Sequence, residues 1–187
     1  MDAVILVGGF GTRLRPLTLT TPKPLLPVGN VSILARVIAG LEKAGVTRAI
    51  LALGFKPQPF IDAFPGNQCG GVRLEYAVEP EPLDTGGAIA FAARFAGVSH
   101  TFIVVNGDVL TSLDVSTLVA FHKKNAAEGT LHLTPVEDPS QFGVVETASD
   151  GQVTRFVEKP APGETTSFNV DAGTYVLEPS VIERMAV

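Results

Sequence analysis

The feature that most constrains this chain is a long loop rich in glycine, proline and threonine near its N-terminus. The apolar run Ala3–Val7 has the length and continuity of a buried parallel strand. It leads into residues 8–24, GGFGTRLRPLTLTTPKP, and no helical pattern begins before Ser32. Connections this long in α/β domains are usually functional, and ligands in such sheets bind outside the carboxyl ends of the strands. We therefore expect a ligand-binding loop after the first strand.

Apolar runs alternate with helical patterns up to Pro135. The run Ile33–Ala44 has apolar side chains at helical spacing, with Ser32 as its N-cap and Gly45 as its stop. Further strands are predicted at Ala49–Leu53, Val72–Ala77, Phe102–Val105 and Thr130–Thr134, and further helices at Gly86–Phe95 and Asp114–Lys124. This order predicts an α/β fold with a Rossmann-like, doubly wound, mostly parallel sheet flanked by helices.

A different pattern follows Pro135. Strand-like segments separated by polar turns are predicted at Gly143–Glu146, Val153–Val157 and Ala172–Leu177. A helix begins near Pro179–Ser180 and is still short at Val187, so we expect the sequence to continue in a longer parent protein. The sequence therefore predicts two parts: residues 1–135 with the parallel sheet, and residues 136–187 as a small β-rich portion.

Charge, apolar runs and cysteine content limit the partners and the cellular location that we expect. The formal net charge is −5 and no run of Lys or Arg occurs, so we expect no nucleic-acid partner. The longest apolar runs, Val4–Val7 and Phe102–Val105, have strand length, so we expect no membrane segment. The single cysteine, Cys69, and an N-terminus without a basic region favour a cytoplasmic protein.

The residues of the N-terminal loop are suited to binding a phosphate. Glycines let backbone N–H groups wrap an anion, Arg13 and Lys23 supply positive charge, and Thr12 and Thr18 supply hydroxyl donors. Two familiar phosphate loops do not fit this segment. The Walker spacing is absent, and Leu14 stands where the dinucleotide fingerprint requires glycine. A flexible surface loop is the alternative interpretation.

Two carboxylates stand beside other strand ends. Asp108, in Asn106-Gly107-Asp108, follows a buried strand, and Mg²⁺ favours one or two carboxylates together with substrate phosphates. Glu79 opens residues 79–87, EPEPLDTGG, which lead into an alanine-rich helix whose N-terminus favours anions. The alternatives are a plain Gly-Asp turn at Asp108 and a helix-entry loop capped by Thr85.

A third charged motif ends a strand-like run in residues 156–160, FVEKP. The carboxylate of Glu158 could accept hydrogen bonds from sugar hydroxyls, and the ammonium of Lys159 could bind a sugar phosphate. A surface ion pair is the alternative. The histidines show no metal-ligand spacing, and we expect each of them to be a structural or a surface residue: His100, His122 and His132.

Residues 9–18, GFGTRLRPLT, followed by Pro22-Lys23-Pro24, resemble the signature of the nucleotidyltransferases that make NDP-sugars. The resemblance extends over essentially the whole chain and implies a catalytic domain with a nucleotide-binding part at residues 1–135 and a sugar-binding part at 136–187. It implies that the loop holds a nucleoside triphosphate, that Arg13 and Lys23 stabilise the departing pyrophosphate, and that Asp108 binds the catalytic Mg²⁺.

The resemblance also implies two sets of binding residues. The predicted nucleotide-binding residues are Leu6, Gly8, Gly9, Gly11, Thr12, Arg13, Lys23, Glu79, Pro82, Thr85 and Gly86. The predicted sugar phosphate-binding residues are Gly143, Glu158, Lys159 and Asp171, and Lys159 is also predicted to be catalytic. Asp171 stands where the family usually has a sugar-contacting Asn. A second metal-binding Asp is usual downstream, beyond Val187.

Within the family, the Phe156-Val157 pair is similar to guanylyltransferases that act on mannose 1-phosphate. The carboxylate of Glu79 would match the N–H donors of guanine, which favours GTP. The expected partners are therefore GTP and mannose 1-phosphate, and the sequence is compatible with a homo-oligomer. Two alternatives stay open. The segment that contains Asp84 resembles the one in family members that uridylylate an amino-sugar acid. The first alternative is therefore a related nucleotidyltransferase that uses UTP or dTTP with another sugar 1-phosphate. A non-catalytic NDP-sugar-binding module, suggested by Asp171, is the other.

Overall fold

The computed structural model describes residues 1–9, 11–54 and 57–185. The chain divides into two compact units, a larger one of Met1–Thr130 with Tyr175–Val187 and a smaller one of Leu131–Thr174. The sequence pattern placed a single boundary near Pro135. In the structure the smaller unit begins slightly earlier, and the last segment of the chain returns to the larger unit.

The elements follow one another in the alternating order that the sequence predicts. The strands are β1 Asp2–Leu6, β2 Pro27–Val28, β3 Val31–Ser32, β4 Arg48–Leu53, β5 Gln68–Cys69, β6 Val72–Val78, β7 Phe102–Asn106, β8 Gly129–Pro135, β9 Gly143–Thr147, β10 Val153–Glu158 and β11 Asn169–Leu177. The helices are α1 Ile33–Lys43, α2 Gln58–Ala63, α3 Asp84–Phe95, α4 Val115–Asn125 and α5 Ser180–Arg184.

The larger unit is built on a mostly parallel sheet in which β7, β1, β4, β6 and β5 lie side by side in that order. Strand β1 pairs in parallel with β4 and β7, β4 pairs in parallel with β6, and only the short β5 is antiparallel to its neighbour. Both faces are covered. Ile5 joins a core with α1 and α4, and Val4 joins a core with α3 and α5. The predicted Rossmann-like, doubly wound α/β fold is thus confirmed.

Alanine-rich packing explains how α3 covers one face of this sheet. Ala90, Ala92 and Ala93 are completely buried, and they share a core with Phe102 and Val104 of β7. Small side chains let the helix approach the sheet closely, so that the loop before α3 is carried to the carboxyl end of β6. The packing of α3 therefore fixes where the segment after Glu79 can lie.

The smaller unit is β-rich. Strands β9 and β10 pair antiparallel, with an irregularity between Val153 and Arg155, and Val170 of β11 pairs with Val144 of β9. Three valines, Val144, Val157 and Val170, form its buried core. This agrees with the strand-like pattern that follows Pro135.

Most predicted boundaries lie within a few residues of the observed ones. Helix α1 begins after Ser32, whose Oγ accepts a hydrogen bond from the backbone N–H of Ala35 at 3.2 Å, as an N-cap should. Helix α3 differs, because it begins at Asp84 and its N-cap position is Leu83, which provides no side-chain cap. The alternative of Thr85 as the cap is therefore wrong, since Thr85 already lies inside the first turn.

Helix α2 was not predicted, because proline and glycine crowd the surrounding sequence. Its N-cap is Pro57, and Pro59 lies in the first turn, where proline costs no helical hydrogen bond. The helix is anchored by Phe60, which is 2% exposed. A six-residue helix with one buried aromatic side chain is too short to show a helical hydrophobic period in the sequence.

Candidate functional site

A cleft of about 950 Å³ lies at the carboxyl ends of the parallel strands of the larger unit. Such a volume is within the usual range for small-molecule sites. All but one of the predicted nucleotide-binding residues line it: Leu6, Gly8, Gly9, Gly11, Thr12, Arg13, Lys23, Glu79, Pro82 and Thr85. Asp108 lines it too. Among the described residues, the exception is Gly86, which follows Thr85 in the first turn of α3 and is not part of the lining.

The glycine-rich loop folds into three short 3₁₀ turns, Thr12–Leu14, Leu17–Leu19 and Lys23–Leu25. Gly11 holds them together. Its φ is 55°, its carbonyl accepts a hydrogen bond from Thr18 Oγ1 at 2.8 Å, and a Cβ there would lie 3.0 Å from Thr18 Cγ2 and 3.2 Å from Lys23 Cβ. Glycine is therefore required at this position both by the backbone conformation and by close packing. The described residues of the loop therefore pack around Gly11.

Asp108 is placed by the glycine before it. The N–H of Gly107 donates to the carbonyl of Leu6 at 2.8 Å, which continues the β1–β7 pairing past the end of β7. A Cβ on Gly107 would lie 2.6 Å from Val7 Cγ1. Only glycine fits between the two strands, and the following carboxylate emerges at the cleft. The sequence suggested a small neighbour for Asp108, and the structure shows what that neighbour avoids.

Two predicted catalytic residues meet in the cleft. Lys23 Nζ lies 2.5 Å from Asp108 Oδ2, although the residues are 85 positions apart in the chain. The side chains are 36% and 33% exposed, so the pair is open to solutes. Arg13 lines the same cleft and lies in the middle of the first 3₁₀ turn, Thr12–Leu14. The cleft therefore presents Arg13, Lys23 and Asp108 together to an incoming ligand.

The donor set of the cleft suits a divalent cation that is shared with a phosphate ligand. Asp108 offers a carboxylate at the end of β7, and its Oδ2 is in contact with the ammonium of Lys23. Among the described residues, no group of three or more His, Cys, Asp or Glu side chains could hold a metal ion. A site with one carboxylate fits Mg²⁺, which usually keeps waters and takes its remaining ligands from substrate phosphates. It does not fit a structural zinc site.

The segment before α3 is held by Glu79. The backbone N–H of Leu83 donates to Glu79 Oε2 at 3.2 Å, which closes the turn through Pro82. Asp84, the first residue of α3, has a φ of 56°, in the left-handed region where Gly is favoured. Oε2 of Glu79 therefore accepts a hydrogen bond from the backbone. A second lone pair on this oxygen, together with Oε1, is left for the predicted contact with the base.

The predicted sugar-site residues lie together in the smaller unit. Glu158 of β10 pairs with Gly143 of β9, and a Cβ on Gly143 would lie 3.0 Å from Glu158 Oε2. Because Val170 pairs with Val144, the antiparallel register places Asp171 beside Gly143 on the other side of β9. Asp171 Oδ1 accepts a hydrogen bond from the N–H of Gly173 at 2.9 Å. Three strands thus bring three of the four residues into one row.

Lys159 follows directly after this row. Its backbone has a φ of 47°, and its N–H donates to the carbonyl of Phe142 at 3.0 Å. Its Nζ lies 3.7 Å from Glu158 Oε1, and the two side chains are 65% and 73% exposed. An ion pair this exposed contributes little to stability, so both groups are available to a ligand at small cost. The ion-pair alternative and the ligand-binding role are compatible here.

Within the described part of the chain, the remaining residue types with reactive side chains, histidine and cysteine, are absent from the lining of the cleft. His122 is 1% exposed and lies between Thr130 Oγ1 at 2.9 Å and Glu178 Oε1 at 3.0 Å. His132 Nδ1 is buried and has no hydrogen-bond partner among the described residues. Burial raises the pKa of the Cys69 thiol, and the charge of Glu42 raises it further, so the thiolate form is disfavoured. These findings agree with the absence of a metal or nucleophile pattern in the sequence.

Two features of the site have no distinct signal in the sequence. The contact of Lys23 with Asp108 joins residues that are distant in the chain, and it forms because β1 and β7, the strands that precede them, lie side by side in the sheet. The left-handed backbone at Asp84 is the other. A non-glycine residue with a positive φ is uncommon, and the sequence around Asp84 has no pattern that marks it.

Comparison with known proteins identifies the family. The family model described as nucleotidyl transferase matches residues 2–187. The chain belongs to the nucleotidyl transferase family. The resemblance carried by the glycine-rich loop is thereby confirmed. Nucleotidyl transferases of this kind generally need a divalent metal ion, in agreement with the donor set around Asp108.

Two curated relatives and one solved structure are among the proteins that are similar to this chain. Mannose-1-phosphate guanyltransferase of Schizosaccharomyces pombe is 43% identical over 99% of this chain and 52% of its own length. Mannose-1-phosphate guanylyltransferase of Mycobacterium tuberculosis is 43% identical over 99% of this chain and 51% of its own. HddC from Yersinia pseudotuberculosis, solved in complex with GMP-PN, is 32% identical, with a TM-score of 0.79 over 97% of this chain and 78% of that one.

The chain thus spans about half the length of the curated relatives it matches.

The helices were also compared with the requirements for crossing a membrane. Across the described residues, no helix has both the length and the apolar character needed to cross a bilayer.

Proposed function

We propose that this protein transfers a guanylyl group from GTP to mannose 1-phosphate, forming GDP-mannose and releasing pyrophosphate. The observation that carries the proposal is the cleft in which Arg13, Lys23 and Asp108 meet beside a glycine-rich loop. A phosphate-wrapping loop, two cations and one carboxylate are what a displacement at phosphorus requires, because it is catalysed mainly by positioning and charge neutralisation.

In the proposed reaction, an oxygen of the sugar phosphate attacks the α-phosphorus of GTP in line. The new P–O bond forms as the bond from the α-phosphorus to the bridging oxygen of the β-phosphate breaks, and pyrophosphate leaves. The attacking phosphate is already ionised, so no general base is needed. Arg13 and Lys23 stabilise the negative charge that builds up on the departing pyrophosphate.

Asp108 is the residue that would hold the divalent metal, and we propose that this metal is Mg²⁺. Its carboxylate lines the cleft at the end of β7. When bound, the metal neutralises phosphate charge and orients the reacting phosphates. The glycine-rich loop contributes backbone N–H groups for the triphosphate, with Gly8, Gly9 and Gly11 in the lining.

The smaller unit would bind mannose 1-phosphate. Glu158 would accept hydrogen bonds from sugar hydroxyls, and Lys159 would bind the phosphate and hold the nucleophile. Gly143 leaves room over β9 for the carboxylate of Glu158, and the same lack of a side chain would let a sugar approach the strand. Asp171, beside Gly143 in the register, would accept from a further hydroxyl.

Guanine and mannose are favoured by the names of the relatives. Both curated relatives are named for mannose 1-phosphate and guanylyl transfer, and HddC was solved with GMP-PN. In the cleft, Glu79, Pro82 and Thr85 line the expected position of the base. A carboxylate accepts from the donors of guanine and repels the carbonyls of uracil. The expected location is the cytoplasm, with a single free cysteine as support, and a homo-oligomer is compatible with the fold.

The test is pyrophosphate release by the purified protein with Mg²⁺, across four nucleoside triphosphates and several sugar 1-phosphates. We expect GTP with mannose 1-phosphate to be the best pair, and chelation of the metal to stop the reaction. Asp108→Asn should reduce turnover by about a hundredfold or more, since it removes the metal-binding carboxylate.

The matched control is Lys124→Gln, an exposed lysine at the end of α4 that lies outside the cleft. It should leave turnover unchanged. Another best pair of substrates would keep the reaction class and refute the choice of GTP and mannose 1-phosphate. Tight binding of GDP-mannose without any turnover would instead favour the non-catalytic sugar-nucleotide-binding module.

A further inference from the structure

The ion pair of Lys23 and Asp108 places a cation where the proposed function needs a metal. Lys23 Nζ lies 2.5 Å from Asp108 Oδ2, and both side chains are about a third exposed. A divalent ion that approached this oxygen would meet an ammonium already in contact with it. Two cations cannot share one carboxylate oxygen at contact distance without strong repulsion. The metal can therefore use this oxygen only after Lys23 has moved.

The backbone of Lys23 is fixed, so only its side chain can change partner. Lys23 begins the 3₁₀ turn Lys23–Leu25, its carbonyl accepts from the N–H of Leu26 at 3.1 Å, and the next residue, Pro24, is buried. Its Cβ packs against Gly11, where an added Cβ would lie only 3.2 Å away. The aliphatic part of the Lys23 side chain thus begins beside the glycine-rich loop. An anion bound by that loop would therefore lie near the ammonium of Lys23.

We propose that Lys23 is a placeholder cation, which neutralises Asp108 in the nucleotide-free protein and passes to the triphosphate when the nucleotide binds. Releasing Asp108 in this way makes the carboxylate available to the metal only when the nucleotide arrives. The inference rests on the proposed function in assigning Asp108 to the metal. Its consequence is that the protein without nucleotide binds a divalent ion more weakly than the same cleft would without Lys23.

The placeholder gives a thermodynamic coupling between metal and nucleotide. The triphosphate draws the ammonium away and adds negative charge, and both effects raise the affinity of Asp108 for a metal. By reciprocity, metal bound at Asp108 releases Lys23 and so raises the affinity for the triphosphate. In both states the carboxylate of Asp108 and the ammonium of Lys23 each have a partner of opposite charge. Premature metal capture without substrate is avoided as well.

The experiment is a titration of the nucleotide-free protein with MnCl₂, in which the electron paramagnetic resonance signal reports free Mn²⁺. We expect Lys23→Gln and Lys23→Met to bind Mn²⁺ about three- to fivefold more tightly than the wild type, the range that a partly exposed ion pair is worth. Adding Asp108→Asn to either variant should abolish the gain. Circular dichroism confirms that each variant is folded, and Lys23→Met keeps the packing of the stem against Gly11.

The matched control is Arg13→Gln, which removes one positive charge from the same cleft without touching the Lys23–Asp108 pair. It should change the affinity for Mn²⁺ by less than Lys23→Gln does. Equal gains in the two variants would show a general charge effect and overturn the proposal, as would an unchanged affinity in both Lys23 variants or a gain that survives Asp108→Asn. The sample contains no nucleotide or sugar, so this result and the substrate profile can fail separately.

Discussion

At the scale of single residues, the cleft depends on two glycines at which any side chain would be strained. Gly11 is required by a φ of 55° and by its contacts with Thr18 and Lys23. Gly107 is required because β1 leaves no room for a side chain beside it. The first shapes the phosphate loop and the second positions Asp108. The functional side chains are thus held in place by residues that themselves carry no reactive group.

We predict that Gly11→Ala destabilises the protein and weakens GTP binding. The new methyl group meets Thr18 Cγ2 at 3.0 Å in a backbone conformation that alanine rarely adopts. The expected loss in the free energy of unfolding is about 1–3 kcal/mol, measured by chemical denaturation. Gly40→Ala is the matched control, because a Cβ at this exposed position of α1 meets nothing within 4 Å. It should stabilise the protein by about 0.5–1 kcal/mol.

A larger effect is expected for Gly107→Ala. Its Cβ would lie 2.6 Å from Val7 Cγ1 and 3.2 Å from the carbonyl of Leu6. The backbone of β1 cannot move aside without disturbing the centre of the sheet, so Asp108 must shift instead. We expect a destabilisation of about 2–3 kcal/mol and a loss of Mg²⁺-dependent turnover. Normal turnover in a well-folded variant would show that the position of Asp108 does not matter.

At the scale of secondary structure, ion pairs and buried polar contacts tie separate elements of the larger unit. Arg48 begins β4 and bonds both carboxylate oxygens of Asp2 on β1, as well as the carbonyl of Ala96 at the end of α3 at 3.0 Å. Its Nη1 lies 3.7 Å from Glu75 on β6. The hydrogen bonding that Arg48 donates to the Asp2 carboxylate is the main reason why the pKa of Arg48 is raised. One guanidinium thus joins three strands and a helix.

We predict that Arg48→Met destabilises the protein by about 1–3 kcal/mol, because the bonds are charge-assisted and partly buried and the partners are left unpaired. Arg73→Met is the matched control on the neighbouring strand. Arg73 also contacts Glu75, at 3.1 Å, but its side chain is 73% exposed. The control should cost less than about 0.5 kcal/mol in the same denaturation experiment. Equal costs for the two variants would contradict this interpretation of Arg48.

Helix α4 is joined to the end of β11 by the contact of His122 with Glu178. The pKa of Glu178 is lowered, first by the hydrogen bond from Thr101 and then by that with His122. The folded protein therefore keeps this carboxylate ionised at a lower pH than the unfolded chain, whose carboxyl has an ordinary pKa of 4.5. The stabilisation is full above that value and is lost as the pH falls through the lower pKa of the folded state.

We therefore predict that Glu178→Gln is less stable than the wild type at pH 7 and that the difference shrinks in acid, as the wild-type carboxyl becomes protonated. Denaturation curves at several pH values check this. A difference that stays constant down to the most acidic pH would mean that ionisation of Glu178 contributes nothing to stability.

At the scale of the whole molecule, the predicted nucleotide-binding residues and the predicted sugar-binding residues belong to different compact units. All residues of the nucleotide cleft lie in the larger unit, and Gly143, Glu158, Lys159 and Asp171 lie in the smaller one. The chain order does not follow this division, because Tyr175–Val187 returns to the larger unit. The smaller unit is thus an insertion between elements of the larger one, and both of its ends are attached.

This division predicts separable effects on the two substrates. Lys159→Gln should raise the KM for mannose 1-phosphate by about tenfold or more, since a charge-assisted contact with phosphate is lost. The affinity for GTP, measured by calorimetry without the sugar, should stay within about twofold, because no interaction with the nucleotide is removed. Weaker GTP binding in this variant would show that Lys159 also contacts the nucleotide.

Sequence by itself determined the fold class, most elements and the residue types of the site, because these depend on local patterns. Apolar runs mark strands that are buried on both faces, and Ser32 and Gly45 mark the ends of a helix. The glycine-rich loop and the Asn106-Gly107-Asp108 turn are likewise continuous segments. Helix α2 and the start of α3 were missed, since one buried Phe60 and a left-handed Asp84 leave no periodic signal.

Only the tertiary structure decided which of these segments meet. The pairing of β1 with β7 brings Asp108 to Lys23 across 85 residues, and the register of β9, β10 and β11 places Asp171 and Glu158 on either side of Gly143. Strand order and register arise from the packing of the whole core, to which distant residues contribute together. For that reason the pattern of residues predicts what the site contains, and packing alone fixes its distances.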